Sequence, residues 1–430
     1  MAGVRSARRL ATLCIGAFVL YFSAFAQSLG PAQDKQGDVH EQREPARGVR
    51  YTHVVRATPA GEPWSIHVVE VSRNEKKIVV RSVQGAGDEN GMKREPPTEM
   101  ARRAAASGLN VVAVVNGDYD LPAPYFGVSD GLSVTNGFVS TTGKPTWPAM
   151  AVTSSGEPLI GVPQVEIVLE SRGRNWPIAA LNKPPGTTWG TGPHLYTREF
   201  RAGIKTEQPV RAVVIGELSK GLPLRADGSV TGKVEKVIAT ASDVALPAGR
   251  LVLTEVASKQ TSLEELRVGD KVKLRIRVQM NGQKKIRDVV GGFPILVEGG
   301  KKHIVGEPRA SLAQRHPRTA VCYNAQKIIF VVVDGRQPKL SVGMTLDELA
   351  DLMVELGCAT AMNTDGGGSS VMAVALPAGS LKPGAISDTV ETSAEKLNVK
   401  GTTGAAIAIV NSPSDGQERG RGNAWIVVRK

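Results

Sequence analysis

The segment Lys327–Ser370, KIIFVVVDGRQPKLSVGMTLDELADLMVELGCATAMNTDGGGSS, predicts a strand, a loop, a helix and a second strand that ends in a glycine-rich loop. Thr345 and Glu348 have the spacing of a capping box at the start of the helix. Apolar residues then recur at i, i+3, i+4 and i+7 from Leu346, and Gly357 is a typical helix stop. If the two strands share one sheet, this order makes them parallel with a right-handed crossover.

Parallel strands place their carboxyl ends at one edge of the sheet, where ligands tend to bind. The two predicted strands end in Asp334-Gly335 and Asp365-Gly366, and an earlier strand, LNVVAVV, ends in Asn116-Gly117-Asp118. Three polar loops at strand ends indicate a site. With these elements we expect an α+β fold, in which a mixed β-sheet with a few packed helices carries a β-rich inserted subdomain.

The glycine run in MNTDGGGSSVMAV, residues 362–374, has two interpretations. Glycines allow a tight turn between two strands, and they also let backbone amides approach a ligand closely. In the second case consecutive N–H groups form a nest for a phosphate or carboxylate. A nucleotide P-loop is excluded, because no Gly-Lys-Ser/Thr follows the run.

The rest of the chain divides by composition. Residues 205–287 contain strand-like runs separated by glycine and aspartate turns, which predicts a β-rich insert. The segment TEMARRAAASG predicts a short helix with Thr98 as its N-cap and Gly108 as its stop. The predicted organisation is a signal peptide (1–26), a disordered lead-in (27–48), an N-terminal domain part (49–204), the insert (205–287) and a C-terminal catalytic part (288–430).

The N-terminus has the pattern of a secretory signal peptide. Arg5, Arg8 and Arg9 precede an apolar run from about Leu10 to Phe25, and Ala24-Phe25-Ala26 forms a cleavage site. An uncleaved membrane anchor is the alternative. No other segment is apolar for long enough to span a bilayer. We therefore expect a periplasmic or secreted protein with no membrane span after cleavage.

The charge of the chain favours anionic partners. Removing residues 1–26, which hold three arginines and no acid, lowers the formal net charge from +12 to +9. A basic exported protein suits phosphate-bearing glycans, anionic envelope polymers such as an exopolysaccharide, or membrane surfaces. Nucleic acid is not an expected partner, because the charges are dispersed, aromatic residues are only 4% and no nucleic-acid module is present.

The cysteines leave two readings open. Cys322 and Cys358 are the two beyond the signal segment. An oxidising compartment permits a disulfide between them, and two buried free thiols are equally compatible with the sequence.

Two basic motifs lie near the predicted site. RHPRTA contains Arg315, His316 and Arg318, and NSPSDGQERGRGN contains Asp415, Glu418, Arg419 and Arg421. Both can be solvated surface loops. The planar fork of arginine nevertheless matches phosphate better than any other side chain.

Taken together, the motifs RHPRTAV, VDGRQPKLSVGMTLDELADLM, MNTDGGGSS and NSPSDGQER resemble the phosphodiester glycosidase domain family. This is the family of the lysosomal uncovering enzyme, which removes N-acetylglucosamine from mannose-phosphate diesters, and of exported bacterial relatives. NGDYD and VVGGFPILVEGGK resemble two further family motifs. The sequence departs from the family at Asp120, which stands where a second aromatic residue is common.

The resemblance implies a hydrolase that cleaves the C1–O bond of a sugar-1-phosphodiester. The leaving group is then an anionic phosphate ester, and a carboxylate acts across the sugar ring as nucleophile or as base for water. We expect Asp365 to be that carboxylate, with Asp334, Asp118 and Glu418 as alternates and His316 as proton donor or shuttle. The expected phosphate ligands are Arg315, Arg318 and Arg419 with the amides of Gly366, Gly367 and Gly368, while Asn116 and Ser369 bind sugar hydroxyls or phosphate.

Two other functions compete with this one. A non-catalytic binder of anionic envelope polysaccharide would have the same fold and would have lost the motif acids, all of which are present. A divalent cation such as Ca²⁺ could be held by Asp118, Asp334 and Asp365. The sequence has no His/Cys spacing for zinc, and we expect no cofactor.

Overall fold

The chain folds into β-sheets flanked by two α-helices, in a computed structural model that describes residues 38–257, 262–305, 313–376 and 407–430. The helices are α1 (Pro97–Ala106) and α2 (Leu346–Glu355). The strands, numbered along the chain, are β1 (Asp38–Ala46), β2 (Val49–Ala57), β3 (Pro63–Ser72), β4 (Ile78–Gln84), β5 (Asn110–Asn116), β6 (Ser133–Thr135), β7 (Phe138–Thr141), β8 (Ala149–Thr153), β9 (Pro158–Gly161), β10 (Gln164–Ser171), β11 (Arg174–Pro177), β12 (Ala180–Leu181), β13 (His194–Tyr196), β14 (Gly203–Gly216), β15 (Leu224–Arg225), β16 (Asp227–Ala245), β17 (Leu251–Val256), β18 (Lys271–Gln279), β19 (Ile286–Gly291), β20 (Ile295–Glu298), β21 (Lys301–Val305), β22 (Arg318–Tyr323), β23 (Lys327–Val333), β24 (Thr360–Asn363), β25 (Met372–Ala375), β26 (Ile407–Ile409) and β27 (Asn423–Arg429).

These strands form four sheets in the described part of the chain. The first has eight strands in the order β1-β2-β3-β23-β22-β24-β20-β21. The second has five, β26-β25-β5-β27-β4, and the third has six, β15-β7-β6-β19-β8-β9. The fourth has eight strands in the order β11-β10-β18-β16-β14-β17-β13-β12.

The strand–helix–strand unit predicted from residues 327–370 is present in the first sheet. β22 lies between β23 and β24 and is antiparallel to both, so that β23 and β24 are parallel and end at the same edge. The capping box of Thr345 and Glu348 is formed at the start of α2. Gly357 follows the helix with φ of 74°, a left-handed conformation that suits glycine.

The first two sheets pack face to face, and each carries a helix on its outer face. Phe330 of β23 and Trp425 of β27 meet across the interface, with ring centroids 6.4 Å apart. The outer face of the first sheet packs against α2 through residues such as Leu349 and Met353. The outer face of the second sheet packs against α1 through residues such as Met100 and Ala101. The alternation of side chains along each strand supplies both faces.

The predicted β-rich region is part of a larger sheet. Its four strand-like runs form β14, β16, β17 and β18. They pair in the fourth sheet with β10–β13, which come from residues 164–196, before the predicted boundary at 205. This sheet and the third share one apolar core, which includes Leu169, Val213, Leu253 and Val289.

Three expectations need correction. The described residues are mainly β, with two α-helices against 27 strands, so α+β describes the fold only loosely. Residues 38–46 of the predicted disordered lead-in form β1, an edge strand paired with β2 whose mostly exposed side chains explain its polar sequence. Thr98 is not the N-cap of α1, because the helix begins at Pro97 with Pro96 before it.

Cys322 and Cys358 form a disulfide, which decides between the two readings of the cysteines. The bond links β22 to the start of the segment that leads into β24.

The predicted signal peptide, residues 1–26, lies outside the described residues. Neither of the two described α-helices has the length and hydropathy needed to span a bilayer.

Candidate active site

The three polar loops predicted from the strand ends meet at one place. The side-chain amide of Asn116 donates to the carbonyl oxygen of Asp365 at 2.7 Å, and the amide of Asp365 donates to the carbonyl oxygen of Gly117 at 3.2 Å. Arg336, two residues after Asp334, packs against Gly367. β27 begins here as well, since it runs antiparallel to β5. The site therefore lies where the edges of the first two sheets come together.

Asp365 is held by a buried arginine. Nη1 of Arg421 lies 2.6 Å from Oδ2 of Asp365 and 2.6 Å from Oδ1 of Asp120. Arg94 pairs with the other oxygen of Asp120. The side chains of Asp120 and Arg421 are 0% and 4% exposed, whereas that of Asp365 is 13% exposed. Of these three groups, Asp365 is the one with access to a ligand.

Burial raises the pKa of Asp365, and the nearby charge of Asp120 raises it further. Arg421 acts in the opposite direction, as does a hydrogen bond from Ser369. A carboxylate that must be ionised in a partly buried site thus depends on the guanidinium beside it.

In the loop of Gly366, Gly367 and Gly368, the glycines allow close packing of neighbouring groups, and several backbone amides are already hydrogen-bonded within the protein. The amides of Asp365, Gly367, Ser369 and Ser370 all donate to carbonyl oxygens of the protein. A Cβ at Gly368 would lie 2.3 Å from a carboxylate oxygen of Asp415. The expectation of an open anion nest along Gly366, Gly367 and Gly368 is therefore wrong for the amide of Gly367, which donates to the carbonyl of Pro317 at 2.8 Å. The glycines instead let charged side chains lie against the loop.

Asp334 is enclosed by hydrogen bonds. Its Oδ2 accepts from Ser65 at 2.9 Å and lies 3.0 Å from Nε2 of His67, while its Oδ1 accepts from the side chain of Asn411 and the amide of Ser412. The residue is 1% exposed. It ties the first sheet to the loop that carries Asp415 and Arg419, and its role as an alternate catalytic carboxylate stays a prediction.

The two arginines of RHPRTA already have partners. All three guanidinium nitrogens of Arg315 donate to the carboxylates of Glu348 and Glu62. Arg318 is 2% exposed, and its Nε and Nη2 donate to the carbonyls of Met344 and Gln314 at 2.7 Å. Burial lowers the pKa of Arg318 to about 10.

His316, Arg419 and Ser369 do lie at the site. Nδ1 of His316 is 3.4 Å from Nε and Nη2 of Arg336. Since arginine has no acceptor, Nδ1 must be the acceptor in this contact. Arg419 lies beside Gly368 and pairs with Asp415. Ser369 hydrogen-bonds Asp365.

Asp118 lies in a buried pocket of its own. It is 1% exposed, its Oδ2 accepts from the amide of Gly131 at 2.7 Å, and its Oδ1 has no hydrogen-bond partner. Burial, with the charge of Asp130, raises its pKa to about 8. Lys183 is fully buried nearby, and burial lowers its pKa to about 7. Burial thus favours the neutral form of this carboxyl, while the charge of Lys183 acts in the opposite direction.

Glu418 stabilises α1. Its carboxylate accepts from the amide of Thr98 at 3.1 Å and from the hydroxyl of the same residue. This contact, from a residue 320 positions away, supplies the cap that Pro96 cannot provide. Its predicted role as an alternate catalytic carboxylate stays a prediction.

The structure adds residues that sequence reasoning did not place in the site. Arg421 and Asp120 flank Asp365, and the hydroxyl of Tyr119 accepts from Asn363 at 2.9 Å. Their signal was present in the sequence: Asp120 is the departure from the family motif, and Arg421 lies in the motif that contributed Arg419.

No group of three or more His, Cys, Asp or Glu that could hold a metal ion is found in the described residues. In particular, Asp118, Asp334 and Asp365 have separate hydrogen-bond partners. The expectation that the protein needs no cofactor stays a prediction.

Two solved structures share the fold of this chain. A protein from Synechocystis has a TM-score of 0.68 at 14% identity, covering 91% of this chain and 64% of that chain. A protein from Burkholderia pseudomallei K96243, described as exported, has a TM-score of 0.57 at 20% identity, covering 85% of this chain and 74% of that one. The catalytic domain of zebrafish N-acetylglucosamine-1-phosphodiester alpha-N-acetylglucosaminidase, auto-inhibited by its pro-peptide, has a TM-score of 0.45 at 12% identity over 91% of this chain and 87% of that one.

A search of curated protein sequences finds no significant match. The chain spans about 64% of the length of the Synechocystis protein. Residues 225–428 match the family model described as phosphodiester glycosidase, and this match contains Asp365, Arg419 and Arg421. The resemblance predicted from the motifs is thereby confirmed over residues 225–428, which match the phosphodiester glycosidase family model.

Proposed function

We propose that this protein is an exported glycosidase that hydrolyses the C1–O bond of a sugar-1-phosphodiester, with Asp365 as its catalytic carboxylate. The family is one of hydrolases that act as phosphodiester glycosidases. The observation that carries the proposal is the pairing of the partly exposed Asp365 with the buried Arg421, at the point where three strand-end loops meet.

Cleavage of the C1–O bond of a sugar-1-phosphodiester requires an ionised carboxylate close to positively charged groups. Cleavage makes the anomeric carbon cation-like, and a carboxylate stabilises it or activates a water for attack. The departing phosphate ester is already anionic, so it needs electrostatic stabilisation more than protonation. Arg421 favours the ionised form of Asp365, and Arg419 lies beside Gly368 of the same loop, where it pairs with Asp415.

The substrate we propose is an N-acetylglucosamine-1-phosphate diester or a related phosphoglycan of the cell envelope. Its support is the formal charge of +9 without residues 1–26, which favours an anionic glycan. The predicted signal peptide, and the likeness to a protein described as exported, support action in the periplasm or outside the cell.

The test is the incubation of the protein from residue 27 onward with the para-nitrophenyl diester of N-acetylglucosamine-1-phosphate. We expect free N-acetylglucosamine from the wild type and none from Asp365→Asn. Asp347→Asn is the matched control, because this aspartate is 66% exposed and pairs with Lys302 on the surface. Turnover by Asp365→Asn at the wild-type rate would refute the assignment of the carboxylate.

A wild type that binds envelope phosphoglycans and turns none of them over would favour the alternative, a non-catalytic binder of anionic polysaccharide. A panel of such glycans, assayed for binding and for sugar release in parallel, distinguishes the two functions.

A further inference from the structure

Most arginines around Asp365 are already neutralised or buried. Arg315 pairs with Glu348 and Glu62, Arg419 with Asp415, Arg421 with Asp120 and Asp365, Arg94 with Asp120, and Arg318 donates to backbone carbonyls. An arginine that is already paired with a carboxylate attracts an incoming phosphate less, because its charge is compensated.

Arg336 differs from all of these. Its side chain is exposed, and no carboxylate of the described residues lies within ion-pair distance of it. Its polar contact is with Nδ1 of His316, at a long 3.4 Å. The charge of the guanidinium is therefore not compensated by a carboxylate, and its contact with His316 is long.

The guanidinium of Arg336 lies directly on the loop that carries Asp365. A Cβ built on Gly367 would be 3.0 Å from Nη2, 3.3 Å from Nη1 and 3.4 Å from Cζ. The flat group thus packs against the bare backbone of Gly367, which itself has φ of 63°. An alanine at position 367 would require the guanidinium to move by a few tenths of an ångström, and a longer side chain would require a larger movement.

The backbone of Arg336 is also unusual. Its φ is 61°, a left-handed conformation that residues other than glycine adopt rarely. Neighbouring contacts hold it there: the amide of Gln337 donates to the carbonyl of Ser341 at 3.1 Å, and the hydroxyl of Ser341 donates to the carbonyl of Asp334 at 2.6 Å. Conformations of this kind are concentrated at functional sites.

We propose that Arg336, supported by His316, forms the subsite that binds the phosphodiester group of the substrate. This inference rests on the proposed function for its substrate class. The planar fork of Arg336 presents two parallel N–H donors to two phosphate oxygens, on the loop beside Asp365. The phosphate would then lie next to the carboxylate that faces the anomeric carbon, which is the relation a sugar-1-phosphodiester requires.

The test compares Arg336→Gln, Arg336→Lys and Arg336→Gly with wild type. Lys339→Gln is the matched control, because Lys339 is an exposed cation in the same loop. Binding of N-acetylglucosamine 1-phosphate is measured by calorimetry, and kcat/KM is measured on the para-nitrophenyl diester.

We expect Arg336→Gln to weaken binding and lower kcat/KM about 10- to 100-fold, as loss of a charge-assisted hydrogen-bond pair predicts. The affinity and kcat/KM of Arg336→Lys should lie between those of wild type and Arg336→Gln, because an ammonium keeps the charge but cannot form two parallel hydrogen bonds. Arg336→Gly should lose binding while its Tm stays the same or rises, since glycine adopts positive φ without strain. If Arg336 had only a structural role, Arg336→Gly would lower Tm instead.

Wild-type binding and turnover in Arg336→Gln, equal losses in Lys339→Gln, or a wild type that does not bind the sugar phosphate would each overturn the proposal. Binding that depends on Arg336 without any turnover would support the subsite and count against the proposed function. Turnover that does not depend on Arg336 would support the proposed function and count against the subsite.

Discussion

Replacement of Arg421 by Gln should move the acid limb of the pH–activity profile to higher pH. Arg421 lies 2.6 Å from both Asp365 and Asp120, and it is the largest influence that lowers the pKa of Asp365. Without the cation, burial and the charge of Asp120 act unopposed by it, and the pKa of Asp365 rises. Asp365 then becomes protonated, and the enzyme inactive, at a higher pH than in the wild type.

The magnitude follows from the geometry. Two unit charges about 4 Å apart interact by about 4 kcal/mol at an effective dielectric constant of about 20. Solvent reaches part of Asp365 and reduces this figure. An opposite charge at this distance typically shifts a carboxyl pKa by about 1–3 units, at about 1.36 kcal/mol per unit. We therefore expect the acid limb to move by about 1–3 pH units.

The assay is the pH dependence of kcat/KM on the sugar-1-phosphodiester, which reports the ionisation of the free enzyme. Adding Asp120→Asn to Arg421→Gln should return part of the shift, because the charge of Asp120 raises the pKa of Asp365. Unfolding curves for each variant confirm that the protein is folded over the pH range. An acid limb that stays in place in Arg421→Gln would refute Asp365 as the titrating carboxylate.

Two further predictions concern stability. Burial raises the pKa of Asp118 to about 8, so between pH 5 and 7 the native state holds a proton that the unfolded state has lost, and stability should fall with rising pH by up to about 3 kcal/mol from this group. Asp118→Asn should remove this slope in denaturant unfolding at pH 5, 6 and 7, and equal slopes would contradict the raised pKa. Glu418→Gln should lower stability by about 1–2 kcal/mol, because Glu418 caps α1 through Thr98, while kcat on the diester stays unchanged. A fall in kcat at wild-type stability would instead support Glu418 as the catalytic carboxylate.

The part of the fold that could be predicted from sequence is the part whose signals are local. The capping box of α2, the apolar face from Leu346 and the glycine stop at Gly357 act within one helix, and all three are present. The parallel relation of β23 and β24 followed from the local order of strand, helix and strand. By contrast, the cap of α1 comes from Glu418, which is distant in sequence. The local pattern predicted Thr98 as the N-cap, which is wrong.

The strand β1 was not predicted from the sequence, for a related reason. An edge strand with exposed side chains needs only the backbone hydrogen bonds of its neighbour, so its sequence does not alternate between apolar and polar residues. The fourth sheet extends before residue 205 because strand pairing joins distant segments, such as β10 with β18, which no compositional boundary reveals.

The candidate site shows the same division between position and partner. Sequence placed Asp334, Asp365 and Asn116 at strand ends, and the structure brings their loops together. It did not determine which charged groups face a ligand, because that depends on which acid each arginine meets after folding. Arg315 and Arg336 lie 21 positions apart, each in a motif that resembles the family. After folding, Arg315 forms ion pairs with Glu348 and Glu62, whereas Arg336 has no carboxylate partner among the described residues.

The glycine run next to Asp365 shows why the distinction matters for function. A triplet of glycines suggests amides that bind an anion, yet the amide of Gly367 donates to Pro317. What the missing side chains permit is the approach of guanidinium groups, Arg336 over Gly367 and Arg419 beside Gly368. The bare backbone of this loop thus lets guanidinium groups lie closer to it than a Cβ would allow. Gly367→Ala should therefore weaken binding of N-acetylglucosamine 1-phosphate less than Arg336→Gln does when both are measured by calorimetry, because it moves the guanidinium of Arg336 by only a few tenths of an ångström and removes no charge and no donor.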